Sequence, residues 1–326
     1  MDSILTVLFT RVGSGLLLAP ALAALRRRHP HARIELAGHP WRLRLLEHPE
    51  LADRVWSIPG PEAIGLAGPS SDPPLGLDAF DAVVLFTVDP GHPGVARWRA
   101  VLGDRLRVEC PYPAEGAGVH LADHLQRAFR HLGVSGGADR SFRLPLAGGP
   151  ASARTGRLVY LHAGTTLSEK LWPAERWIAL ARRLADHGAR LLLGSGPLDE
   201  ETNRPIEAGL ADLPIERAAG RSIAELARVL AGADLAVGVD SGPTHLAALL
   251  GVPTVAIYGP ARPETWGPLG RRVKVLAGSC GLVCCAEDHV FGCQGGCTAR
   301  VGLDAVLAAA LEFLHAGSTP CASTSS

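Results

Sequence analysis

The sequence predicts an α/β protein made of two Rossmann-like halves, each a doubly wound parallel sheet, facing a central cleft. Three observations carry that expectation. Short apolar runs alternate with helical patterns along most of the chain, which is the rhythm of a parallel sheet. The rhythm pauses in the Gly-, Pro- and Ala-rich stretch Ala147–Gly156 (AGGPASARTG) and then restarts. Around Val237–Pro268, a strand Leu235–Val239 and a strand Thr254–Tyr258 flank a short helix, and each strand runs into a Gly-rich turn. That is a βαβ unit with its ligand edge exposed.

Taken in order, Ile4–Phe9 reads as the first strand and Thr10–Gly15 as its loop. Leu16–His29 reads as a helix, with Leu22 and Leu25 on its apolar face and Arg26–Arg28 at the end where cations are favoured. Pro20 must kink it or mark a later start. Strands are expected at Arg33–Ala37 and Arg54–Ile58, with a short helix at Trp41–Leu46 between them. Pro59–Leu77, rich in Gly, Pro and Ser, is a loop or excursion. Ala82–Phe86 and Leu106–Glu109 read as strands, and Gly94–Leu102 and His120–Leu132 as helices.

Residues 1–146 thus form the N-terminal domain, 147–156 the linker and 157–316 the C-terminal domain. In the second domain Leu158–Leu161 is a strand and Ala163–Lys170 a loop; Pro173 opens a helix that Gly188 ends. Arg190–Gly194 is the next strand. Ser222 and Glu225 form a capping box for a helix reaching about Leu230. After the βαβ unit come strand Arg272–Leu276, a cysteine-rich segment and a helix Leu303–His315. The polar tail, residues 317–326, is expected to be disordered.

The 326 residues suffice for two cores, and with 47% hydrophobic but only 5% aromatic residues those cores must be largely Leu, Ala and Val. Lys plus Arg and Asp plus Glu both total 32, a balance that argues against a general nucleic-acid binder. No apolar run approaches the roughly 18 residues of a spanning helix. The N-terminus lacks the basic region and cleavage site of a signal peptide, so a cytoplasmic chain is expected. The seven cysteines are odd in number and locally crowded, unlike a secreted disulfide framework.

Four loops carry residues suited to chemistry. Thr10–Gly15 (TRVGSG) imitates a dinucleotide fingerprint, with Glu35 about twenty residues on; Leu18 falls where a third small residue belongs, and a tight strand–helix turn accounts for Gly13 and Gly15 equally well. His162–Lys170 (HAGTTLSEK) offers the hydroxyls of Thr165 and Thr166 and the ammonium of Lys170. That set suits a diphosphate, and a capped helix start with a solvated lysine suits it too. In Gly194–Glu201, acids such as Glu201 can accept from ribose hydroxyls or simply favour a helix N-terminus. In the fourth loop, Asp240, Ser241 and Gly242 lead into a helix whose free amides suit phosphate, and Pro243 there loses no donor. His245, among Ala-rich neighbours, reads by itself as a packed core histidine.

Cys280, Cys284, Cys285, Cys293 and Cys297 give C-x3-C-C-x7-C-x3-C, which is not a standard zinc spacing. From the residues alone, four thiolates around a metal and a purely structural role both stay open.

Together these segments resemble glycosyltransferase family 9, the heptosyltransferase family of lipopolysaccharide core assembly. DSGPTHLAALLGVPTVAIYGPARPETWGP is similar to its most distinctive stretch, LHAGTTLSEKLWPAERW to a second motif, PALAALRRRHPHARIELAGHP to an N-terminal one, and HPELADRVWSIPG to the segment before the third strand. The resemblance implies a GT-B fold, an inverting and metal-independent transfer, no cofactor, and a nucleotide-diphosphate sugar as substrate, ADP-heptose in the best-known members. It implies a glycan or glycolipid acceptor and a cytoplasmic protein with room for peripheral contact at the inner membrane face. It assigns Thr165, Thr166 and Lys170 to the donor phosphates. Asp240, Ser241 and Gly242 would line the diphosphate and sugar, with His245 supporting that turn. The family's base is an Asp in a Gly-Asp pair six residues before a Pro; counting back from Pro20, the pair here is Gly13-Ser14. A Ser hydroxyl is too weak a base to replace a carboxylate. Asp89, with His92 as the alternative, is the expected replacement base, although Asp89-Pro90-Gly91 also reads as a plain turn. An acceptor that needs little deprotonation, and loss of transfer with retention of donor binding, are the other expectations.

Overall fold

The computed structural model describes residues 1–10, 12–39, 43–58, 76–114, 116–146, 156–196, 199–279 and 296–316. The linker 147–156 except its last residue, most of the 59–77 excursion, the tail 317–326, and Cys280, Cys284, Cys285 and Cys293 lie outside these residues. The chain divides into two compact units. The first is Met1–Ala147 with the short stretches Ser222–Ala224 and Glu264–Trp266; the second is Gly148–Arg221, Glu225–Pro263 and Gly267–Ser326.

In the first unit, β1 (Ser3–Leu8), β2 (Arg33–Gly38), β3 (Arg54–Ser57), β4 (Ala82–Phe86) and β5 (Leu106–Glu109) form a sheet in the order β3-β2-β1-β4-β5. Every pairing is parallel. All residues of β1 and β4 are buried, as expected of central strands covered on both faces. One helical cover packs Val95, Trp98 and Leu102 against Leu5, Val7, Val83 and Leu85.

The expected helix Leu16–His29 starts later, as α2 (Ala19–Arg28), and most of the expected Thr10–Gly15 loop is a short helix of its own, α1 (Val12–Leu16). Pro20 lies in the first turn of α2, where its missing N–H costs no helical bond. Gly94–Leu102 starts one residue earlier, as α3 (Pro93–Leu102). His120–Leu132 divides into α4 (Leu121–Arg127) and a 3-10 turn. The described part of the Trp41–Leu46 helix is a 3-10 turn, Arg44–Leu46.

In the second unit β6 (Leu158–His162), β7 (Arg190–Gly194), β8 (Ile215–Ala218), β9 (Leu235–Val239), β10 (Thr254–Tyr258) and β11 (Val273–Ala277) form a sheet in the order β11-β10-β9-β6-β7-β8. It too is parallel throughout. The helices along this part of the chain are α5 (Ala174–Asp186), α6 (Glu200–Gly209), α7 (Ile223–Ala231), α8 (Gly242–Leu249), α9 (Pro263–Trp266) and α10 (Leu303–Ala316); Ile223 and Ala224 of α7 and Glu264–Trp266 of α9 group with the first unit. Strand β8 and helix α9 are not predicted by the sequence, and α6 only as the helix-start reading of the acids in Gly194–Glu201. β8 is a half-exposed edge strand of four residues, α6 carries Pro205 in its interior, and α9 is a single turn. Among the described residues no helix is long and apolar enough to cross a membrane.

In each sheet the chain winds outward one way, returns to the centre and winds the other way. The reversal falls between β1 and β4 in the first unit and between β6 and β9 in the second. Loops at the carboxyl ends of the strands flanking such a reversal part to opposite sides and leave a crevice there. Ser14 follows β1 in helix α1 and Asp89 lies in the loop after β4, while the loops after β6 and β9 carry Lys170 and Asp240.

Candidate functional site

The crevice of the second unit is built on backbone first. Helix α8 starts at Gly242 directly after β9, with Ser241 as its extended N-cap residue and Pro243 in its first turn. The Ser241 hydroxyl makes no capping bond to the helix amides and lies 3.0 Å from Thr244 Oγ1, which donates to Val239 O at 2.7 Å. Helix geometry gives the amides of Gly242 and Thr244 no carbonyl four residues back inside the helix. Those groups and the positive end of the helix dipole suit an anion. Gly238 has no room for a side chain, since a Cβ there would run into Thr244 Oγ1.

Lys170 and Asp240 form an ion pair across this crevice, their side chains 14% and 8% exposed. His245 Nε2 lies 3.5 Å from Asp240 Oδ1 and 3.4 Å from the Tyr258 hydroxyl. His245 Nδ1 is buried without a hydrogen-bond partner. An Nε2–H tautomer facing the carboxylate fits that asymmetry. Burial acts to raise the Asp240 carboxyl, but the His245 hydrogen bond and the Lys170 charge outweigh it and hold the group at about 2. Burial, with the Asp240 charge beside it, pushes the Tyr258 phenol well above its ordinary value, so it remains a donor.

Thr165 Oγ1 reaches Asp240 O at 3.5 Å, and Thr166 is exposed on the same loop. The structure therefore gathers Thr165, Lys170, Asp240, Ser241, Gly242 and His245 at one sheet edge. Glu201 does not join them: it lies exposed in the first turn of α6. The acid turned inward there is Asp199, whose carboxylate accepts from Gly196 N–H at 2.6 Å and lies 4.0 Å from His162 Nε2. Tyr160 OH meets His162 Nδ1 at 3.1 Å. Burial lowers the His162 imidazole, with the Asp199 charge opposing. Sequence reasoning missed Tyr160, His162, Asp199 and Tyr258. The glycines were the available signal: a Cβ at Gly194 would fall on Tyr160 and His162, and one at Gly164 on Asp199.

In the first unit, Gly13, Ser14 and Gly15 lie inside α1 rather than in an open loop, and Gly13 O accepts from Leu17 N–H at 3.2 Å. Gly15 packs close to Leu43. Glu35 is buried, with its carboxylate bonded to Trp56 Nε1 and, at 2.9 Å, to Arg33 Nη1. It is unavailable to a ribose, so the dinucleotide fingerprint fails on its acid as well as on Leu18. Asp89 is exposed in a turn, and its Oδ1 accepts from Gly91 N–H at 3.2 Å. His92 caps α3 by accepting Gly94 N–H on Nδ1 at 3.0 Å. That assignment puts the proton of the neutral ring on Nε2, leaving no lone pair for a base. Of the two candidate bases only Asp89 keeps basic atoms open.

Among the described residues no group of three or more His, Cys, Asp or Glu side chains is placed to hold a metal ion. Cys297, the described member of the cysteine segment, is buried.

Two parallel α/β units of this kind define the GT-B fold. The chain matches the solved glycosyl transferase family 9 protein of Veillonella parvula with a TM-score of 0.75 at 20% identity, covering 97% of this chain and 98% of that one. It matches the E. coli heptosyltransferase structure with ADP with a TM-score of 0.66 at 21% identity, over 97% of this chain and 100% of that one. In sequence, residues 55–290 match the model for glycosyltransferase family 9 (heptosyltransferase). The chain belongs to that family. It is 42% identical to lipopolysaccharide heptosyltransferase 1 of Escherichia coli K12 over 118 residues, 36% of each chain. It is 43% identical to the Pseudomonas aeruginosa protein of that name over 116 residues, 35% of this chain and 32% of that one. The matched stretch thus spans about a third of the length of these curated relatives.

Proposed function

We propose that this protein is an inverting, metal-independent glycosyltransferase that moves a heptose-like sugar from ADP-heptose or a related nucleotide-diphosphate donor to a lipopolysaccharide-core or other glycan acceptor. The observation that carries the reading is the Lys170–Asp240 pair beside the α8 N-terminus at the switch point of the second sheet. In the free protein Asp240 holds Lys170 ready in the crevice. The donor diphosphate takes the ammonium, the Thr165 and Thr166 hydroxyls and the Gly242 and Thr244 amides. The Asp240 carboxylate, kept ionised, positions the lysine and faces the sugar rather than the phosphates.

In the transfer itself, Asp89 takes the proton of the acceptor hydroxyl, and that oxygen bonds to the anomeric carbon from the side opposite the diphosphate. The bond from the anomeric carbon to the diphosphate oxygen breaks, and its electron pair leaves with the nucleotide. Lys170 and the helix amides meet the charge that develops there, which is where preorganised donors act most strongly.

Replacing Lys170 by Gln should raise the Kd for ADP at least about tenfold, equivalent to about 1.4 kcal/mol. Calorimetric titration checks this, and wild-type affinity in the variant would remove the diphosphate assignment. Asp89→Asn should abolish transfer while ADP binding stays as in the wild type; unchanged turnover would clear Asp89 of the role.

Ser14, standing where the family's Asp is expected, favours a second reading: a protein that binds the nucleotide sugar and does not transfer it. ADP-sugar binding with no transfer to any glycan acceptor, and no effect of Asp89→Asn on either, would decide for it.

A further inference from the structure

The loop that carries Lys170 is fastened from one side by a segment far away in sequence. Ser168–Lys170 form one 3-10 turn, and the carbonyl in its middle, Glu169 O, accepts from Thr298 Oγ1 at 3.1 Å. Two residues past Lys170, Trp172 Nε1 donates to Val301 O at 2.9 Å. Arg176 Nη1 reaches the same carbonyl at 2.6 Å and also bonds Ala299 O. Thr298–Arg300 is itself a tight 3-10 turn, with Arg300 N–H on Cys297 O at 3.0 Å and Val301 N–H on Thr298 O at 3.1 Å. Thr298, Trp172 and Val301 are all buried.

The same threonine also fills the space beside the Gly-Pro loop that ends β10. A Cβ on Gly259 would come within 2.8 Å of Thr298 N and 3.0 Å of Thr298 Cβ. Thr298 therefore touches the loops after β6 and β10, which lie on either side of β9 and the Asp240 turn. A lysine side chain is long and has many rotamers, so its ammonium is directed only if the backbone beneath it is held. The chain fixes that backbone at Glu169, next to Lys170, with a buried hydroxyl donor.

We infer that Thr298 is a positioning residue for the donor site: its hydrogen bond to Glu169 O, braced by the Trp172 and Arg176 bonds to Ala299 and Val301, sets where Lys170 meets the diphosphate. This rests on the donor-site reading of Lys170. Thr298 touches no donor atom; it acts through the lysine.

A double-mutant cycle on the full chain tests it, with ADP as the probe and titration calorimetry as the readout. Thr298→Val keeps the side-chain shape and removes the donor; it should raise the Kd for ADP about tenfold, and Thr298→Ser should restore nearly wild-type binding. In the Lys170→Gln background, Thr298→Val should cause no further loss. Wild-type affinity in Thr298→Val, or the same added loss in the Lys170→Gln background, would overturn the inference and leave Thr298 as ordinary packing. If Thr298→Val does not fold, Trp172→Phe removes the neighbouring bond and keeps a ring against Trp177; the same two outcomes then decide. If Lys170→Gln binds ADP as the wild type does, the donor-site reading falls and the inference with it. If Lys170→Gln loses ADP while Thr298→Val does not, only the inference falls.

Discussion

Asp240 carries its charge in a place where burial acts to remove it. The His245 hydrogen bond and the Lys170 ammonium offset that penalty and hold the carboxyl at about 2. A carboxyl depressed in the folded state contributes stability above its unfolded value of 3.8, and that contribution is lost as pH falls from there through about 2. Asp240 therefore does not titrate near neutrality, and an acid limb in donor binding above pH 5 would have to come from another group. His162 behaves oppositely. Burial lowers its imidazole below the ordinary 6.5, so the unfolded chain takes up the proton first and stability falls as pH drops below about 6.5. Replacing His162 by Gln should make the thermal midpoint less sensitive to acid between pH 7 and pH 5 than in the wild type. Equal slopes for the two proteins, measured by differential scanning calorimetry, would show that His162 does not report on that window.

At the scale of elements, the second unit locks its loops by seating side chains against glycines. Gly194 ends β7 against the Tyr160 hydroxyl and the His162 ring, and its missing side chain lets β6 and β7 carry both polar groups inward. Gly194→Ala should cost about 1–3 kcal/mol by overpacking a site that cannot relax cheaply. Gly302→Ala, at an exposed position where an added methyl would meet nothing within 4 Å, should cost less than about 1 kcal/mol, through its place just before α10 and not through packing. Urea unfolding of the two variants makes the comparison.

The same contrast explains what could be read from the sequence. Strands β4, β7, β9 and β10 match their sequence-derived bounds because they are continuous apolar runs in the buried middle of a parallel sheet. The Asp240–His245 turn and the Lys170 loop are legible because their chemistry lies within a few residues. Edge strand β8 is short and half polar, so no periodicity marks it. The Tyr160–His162–Asp199 group and the Thr298 contact join residues through the sheet and not along the chain. Leu161 pairs with Leu193, and only that register sets His162 beside the β7 loop where Asp199 turns in. Glu201 and Asp199 are equally suitable acids by sequence; the direction of the first turn of α6 separates them.

For the whole molecule, the two units keep separate sheets and separate cores, and the proposed roles divide the same way. Every residue assigned to the donor, together with the Thr298 brace, belongs to the second unit. Ser14, Asp89 and His92 belong to the first. A ligand that represents the donor's nucleotide alone should therefore stabilise one unit locally. Hydrogen exchange of the full chain with saturating ADP should slow in the stretches 163–170, 240–245 and 298–301, where loop amides are fastened to the diphosphate or to Lys170. The stretches 12–16 and 87–92 should exchange as in the free protein, because ADP presents no acceptor hydroxyl to the loops after β1 and β4. Protection spread equally over 12–16 and 87–92 would mean that the nucleotide also engages the first unit, and the assignment of Asp89 to an acceptor-only role would fail. Weaker protection at 163–170 and 240–245 in Lys170→Gln at the same ADP concentration would tie the local stabilisation to the ion pair itself, since a bound ligand stabilises the native state by an amount that rises with the logarithm of its concentration over Kd.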